Sequence, residues 1–150
     1  MLRESLTEAL KTALKERDQK SVSTLRLVLA ALKDRDIEAR PKGIQQIPEP
    51  EILSMMQGMI KQRRESIALY EQGGRADLVE GEKGEIAVIE RFLPQQMDEA
   101  TMQDAVRQAI AATGAASIKD MGKVMAELKA KHAGSLDMSR AGALVKAELG

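Results

Sequence analysis

Apolar residues recur every three or four positions from the start of the chain. In LRESLTEALKTALKERD the residues Leu2, Leu6, Leu10, Ala13 and Leu14 fall on one face, which predicts an amphipathic helix. Asp18 and Gln19 interrupt it. A second helix is predicted from about Lys20, with Val22, Leu25, Val28, Leu29 and Leu32 apolar. Its tail, Lys33 to Arg40, is almost all charged and is expected to project into water.

The stretch ARPKGIQQIPEPE holds three of the four prolines and a glycine, so it reads as the longest loop. A third helix is predicted from about Glu51 to Tyr70, with Ile52, Met55, Met56, Met59, Ile60, Ile67 and Tyr70 inward. Gly73-Gly74 is its expected stop, because glycine readily takes the left-handed cap conformation. A fourth helix is expected from Arg75 to Phe92, carrying Leu78, Val79, Ile86, Ile89 and Phe92 inward, with Gly81 and Gly84 as weak points. Pro94 in FLPQQMDEA marks the expected domain boundary, giving units 1–94 and 95–150. Three shorter helices follow. The first is capped by Asp98 and ends before Gly114. The second opens at Ser117, where SIKD resembles a capping box, and runs to about Ala133. The last starts near Asp137–Ser139. These patterns predict an all-α protein, a bundle of about four helices followed by a three-helix domain.

Composition sharpens this reading. Tyr70 and Phe92 are the only aromatics, and the apolar residues are mainly Leu, Ile, Val, Ala and nine Met, which favours helix over sheet. Lys+Arg and Asp+Glu each number 23, so no domain-wide basic field steers the chain to a polyanion, and DNA is not an expected partner. With no Cys, a disulfide framework and thiolate metal sites are excluded. No apolar run approaches the ~20 residues of a membrane span. MLRESLTEALK carries acids and no signal-type apolar stretch, so a cytoplasmic protein is expected.

Three stretches in order carry a family resemblance: STLRLVLAALKDRDIEA, KQRRESIALYEQGGRADLVEGEKGEIAVIERFLPQQM, and SIKDMGKVMAELKAKHAGSLDMSRAGALVKAEL. Together they resemble the YqeY family across essentially the whole chain. The last third also resembles the tail domain of the GatB subunit of the aspartyl/glutamyl-tRNA amidotransferase. That resemblance implies an N-terminal helical bundle and a C-terminal three-helix domain of the kind that holds the body of a tRNA. It also implies an association with carbon–nitrogen ligases that use glutamine as amide donor. In the loop before the last helix, where family members often have Ala-Asp-Gly, this chain has Gly134-Ser135-Leu136-Asp137-Met138.

Few residues are candidates for chemistry. In KDMGKVM, Lys123 precedes Val124 rather than Ser or Thr, Gly114 lies too far from Gly122, and no strand precedes them, so this is not a P-loop. On a helical wheel Ile118, Met121, Val124, Met125, Leu128 and His132 share one face. Gly122, Ala126 and Ala133 form a stripe of small residues at its edge, with Lys119 and Lys123 beyond. One reading packs Gly122 against the last helix at Ala141-Gly142-Ala143. The other makes the stripe a close-approach surface for a phosphate backbone. In the second reading Lys119, Gly122, Lys123, Lys129, Lys131 and Lys146 form the RNA- or partner-binding set.

His132 lacks partners for zinc, and Ser135 lacks an orienting acid for nucleophilic chemistry. Arg63, Arg64, Arg75 and the run Glu80, Glu82, Glu85 read as a solvated face and ion pairs between the third and fourth helices. The Met clusters read as core. No catalytic residue, cofactor or metal is therefore assigned. The expected function is a non-catalytic module that binds tRNA or a translation-related protein. The alternatives are an accessory or catalytic carbon–nitrogen ligase and a purely protein-binding helical module.

Overall fold

The computed structural model describes residues 1–150. The chain is all-α, with α1 (Leu2–Glu16), α2 (Gln19–Ala39), α3 (Glu49–Gln72), α4 (Ala76–Glu90), α5 (Glu99–Thr113), α6 (Met121–His132) and α7 (Met138–Leu149). It divides into two compact units, Met1–Leu93 and Pro94–Gly150.

In the first unit α2 packs against both α1 and α4, and α3 runs along α4. Leu6, Val28, Ile52, Met56 and Ile89 are fully buried between them. Leu14 departs from its expected place on the buried face of α1: it is 48% exposed. Asp18 separates α1 from α2 by capping the latter, accepting the Ser21 amide at 3.2 Å. α3 begins two residues earlier than the pattern indicates. Pro50 stands in its first turn, where a missing donor costs nothing. At the far end Gly74 adopts φ 69°, the left-handed turn that stops the helix.

The charged tail of α2 is the largest departure in this unit. It does not simply project into water. Arg3 Nη1 and Nη2 donate to the two Asp36 oxygens at 2.8 and 2.7 Å, and Arg3 Nη2 also donates to the Ile47 carbonyl at 3.0 Å. Asp36 accepts the Ile47 amide at 2.8 Å. One ion pair thus fastens α1, the end of α2 and the loop before α3, with Ala39 and Ile47 buried beneath it.

The second unit is a three-helix cluster in which α5, α6 and α7 all touch one another. Its core is Met102, Val106, Val124, Leu128, Leu136, Ala141 and Val145. Asp98 caps α5 through the Thr101 amide at 2.8 Å, and Gly114 closes it at φ 67°. The expected capping box at Ser117 is not formed. Ser117 makes no side-chain cap bond, and Ile118–Asp120 is a short 3-10 turn. Asp120 takes over by reaching back to accept the Ala116 amide at 3.0 Å, so α6 starts only at Met121.

Candidate functional site

α6 buries Val124 and Leu128 and half-buries Met121 and Met125. Its other side is open. Gly122, Ala126 and Ala130 recur every four residues, so they line up along the helix, and Gly122 and Ala130 are exposed. A Cβ placed on Gly122 would meet nothing within 4 Å. Gly122 therefore does not pack against the last helix, and that reading of KDMGKVM is wrong. The glycine that faces α6 is Gly142 of α7, whose would-be Cβ would sit at ordinary contact distance, 3.6 Å from the Met121 methyl and 3.8 Å from that of Met125. Ile118, expected on the apolar face, is 45% exposed in the turn before α6.

The lysines border this open stripe. Lys123 and Lys131 each follow a stripe residue and lie on one edge with Glu127 between them. Lys129 precedes Ala130 and lies on the other edge, continuing the row of Met121 and Met125. Lys119 is exposed in the turn just before α6. Lys146 is exposed on α7 one turn after Gly142, the residue that meets α6.

The ion pairs of this unit are Lys131–Glu127 at 2.8 Å, Arg107–Glu148 at 3.4 Å and Arg140–Glu99 at 3.8 Å. Lys119, Lys123, Lys129 and Lys146 stand outside them. Asp120 is the acid beside this set. Its carboxyl titrates below the usual aspartate range, chiefly because it accepts the Ala116 amide; Lys123 contributes a smaller part.

Other candidate groups are occupied structurally. The Ser135 hydroxyl donates to the His132 backbone carbonyl at 3.2 Å, away from nucleophilic use. Arg63 Nε donates to Glu85 at 2.8 Å and Arg64 reaches Glu90 at 3.5 Å, tying α3 to α4. Arg75 braces the start of α4 through Asp77, its Nε and Nη2 donating at 3.2 and 3.1 Å. Met55 and Met56 are buried and Met59 is half-buried.

A concave feature of the first unit is not apparent from the sequence. Leu29, Lys33 and Asp36 recur at helical spacing on α2, Arg40 continues the series in the turn just after it, and these residues line a concavity with Arg3 of α1 and Gln45 and Gln46 of the following loop. It is an open cleft of about 490 Å³. The spacing along α2 was the available signal. Its pairing with Arg3, 33 positions earlier, was not.

The fold and these surfaces define a small helical protein made of two units, one presenting an open basic helix face and the other a basic cleft. The family model described as Yqey-like protein matches residues 3–149, and the chain belongs to the YqeY family. Altered inheritance of mitochondria protein 41, mitochondrial, of Lachancea thermotolerans is 32% identical over 91 residues, 61% of this chain and 47% of that protein. The protein of the same name in Eremothecium gossypii is 33% identical over 88 residues, 59% of this chain and 46% of the relative. In Kluyveromyces lactis it is 31% identical over 88 residues, with the same coverage. The match spans just under half the length of these relatives. No helix of this chain is long and apolar enough to cross a membrane.

Proposed function

We propose that this protein is a helical module that binds the sugar-phosphate backbone of RNA, tRNA in the first instance, through the open face of α6. The observation that carries the reading is Gly122. It sits in open space, flanked by exposed lysines that no carboxylate has claimed, so a backbone can approach α6 without displacing a side chain. The likeness of the last third to an amidotransferase tail supports tRNA over other RNAs. Lys119 and Lys123 bind the first phosphates, Lys129 and Lys146 extend the surface, and Lys131 contributes less while Glu127 holds it. Such binding is independent of sequence and weakens with salt. The zero net charge keeps the affinity modest, because nothing steers the encounter from a distance.

The test is binding of total tRNA across a salt series, comparing the native chain with Lys119→Glu/Lys123→Glu. The variant is expected to bind more weakly, with its log K against log salt slope shallower by about two, roughly one for each phosphate no longer neutralised. Equal binding by both proteins removes α6 as the site. Binding by neither favours a protein partner. Release of ammonia from glutamine by the purified chain alone would overturn the non-catalytic part of the proposal and favour the ligase reading. Residence in the cytoplasm is part of the same proposal; the fungal relatives are mitochondrial by name, and imaging a fluorescent fusion decides between the two compartments.

A further inference from the structure

We infer that the cleft between α1, the second half of α2 and the loop before α3 is a binding site for a small phosphate monoester. This site is independent of the RNA reading, which concerns the other unit. The cleft is lined by three cations, Arg3, Lys33 and Arg40, and by one acid, Asp36. Asp36 accepts three hydrogen bonds, two from the Arg3 guanidinium and one from the Ile47 amide, so its negative charge is already paired with Arg3. Lys33 and Arg40 are exposed and form no ion pair. The remaining charge is about +2, which matches a phosphate monoester carrying about −1.5 to −2 near neutrality.

Preorganisation points the same way. Arg3 is held in place by Asp36 and the Ile47 carbonyl, which occupy one Nη1 and both Nη2 hydrogens. Of the five guanidinium donors, Nε–H and the second Nη1–H are left over; they point to opposite edges of the fixed plane, so Arg3 can offer a phosphate one single, preoriented N–H and its positive charge. The amides of Gln45 and Gln46 add neutral donors at the rim, and Leu29 and Leu32 supply an apolar wall for the organic part of the ligand. A volume of about 490 Å³ is within the range of small-ligand sites.

The experiment is an amide NMR titration of the full-length chain with glycerol phosphate, with inorganic phosphate, and with acetate and chloride at matched ionic strength. Saturable shifts are expected with both phosphates at Arg3, Lys33, Asp36, Arg40, Gln45 and Gln46, with glycerol phosphate the tighter of the two. Lys33→Gln/Arg40→Gln alters two exposed side chains and is expected to keep the native spectrum elsewhere while binding glycerol phosphate at least about tenfold more weakly. Lys119→Glu/Lys123→Glu is expected to bind it as the native chain does. Three results would overturn the site: shifts spread over exposed lysines of both units, equal response to acetate or chloride, or unchanged affinity in the Lys33/Arg40 variant.

Discussion

Lys20 lies across two glycines of α4. Its Nζ donates to the Gly81 carbonyl at 2.8 Å, and its Cε passes 2.8 Å from where a Cβ on Gly84 would stand. Alanine in a helix interior is favoured over glycine by about 1 kcal/mol. At Gly81 the new methyl would meet only the Lys20 ammonium, at 3.8 Å, so Gly81→Ala is expected to stabilise by about 0.5–1 kcal/mol in urea unfolding. At Gly84 the lysine must swing away and give up an exposed hydrogen bond, itself worth about 0.5–1 kcal/mol, so Gly84→Ala is expected near zero. In a Lys20→Ala background the gain at Gly84 should return; equal gains at both glycines in the native background would refute this role for Lys20. The same comparison shows what a glycine in a sequence conveys. Gly81 and Gly84 read as weak points and Gly122 as either a packing residue or an open contact surface, yet Gly84 accommodates a lysine stem, Gly122 faces open space, and it is Gly142 that faces the Met121 and Met125 methyls. A missing side chain is visible in the sequence, but the neighbour that uses the gap comes from the tertiary arrangement.

At the scale of the element, the helices were legible because apolar periodicity, caps and glycine stops are local signals. The tail of α2 was not legible. Asp36 looked like one more charge in a solvated run, because its partner Arg3 lies in α1 and its second donor in the loop beyond. The Asp36 carboxyl titrates below the ordinary aspartate range. The Arg3 hydrogen bonds are the main cause, burial works against them, and the Ile47 amide adds to the lowering. Because the folded-state value is the lower one, the unfolded chain holds the extra proton between the two, and stability rises with pH there. The contribution is complete above the unfolded value of about 3.9 and is lost as pH falls through the folded value. Asp36→Asn should therefore cost about 2 kcal/mol at neutral pH, since it leaves a half-buried guanidinium without its charge partner. The gap between variant and native chain should narrow as urea unfolding is repeated at successively lower pH. A gap that stays constant through the acid range would show that the ion pair is not its source.

At the scale of the molecule, the two buried clusters share no residue, and each belongs to one unit. The second unit is the smaller and is closed by only three helices, so it has less buried apolar surface to set against chain entropy. Leu128 is fully buried at its centre. Truncation to alanine leaves a cavity that costs about 3 kcal/mol, a large part of what so small a unit can hold. The chain supplies its own reporter for where that loss is felt: its single tyrosine, Tyr70, lies on α3 of the first unit, and there is no tryptophan. Tyrosine fluorescence thus follows the first unit alone, while far-ultraviolet circular dichroism follows the helices of both. If the units unfold separately, Leu128→Ala moves part of the dichroism transition to lower denaturant and leaves the tyrosine transition where it was. If the two signals shift together, the chain unfolds cooperatively and the division at Pro94 is one of packing and not of stability. The first outcome would also mean that loosening the core beneath α6 leaves the cleft of α1 and α2 intact, so that the two proposed binding surfaces can be tested one at a time.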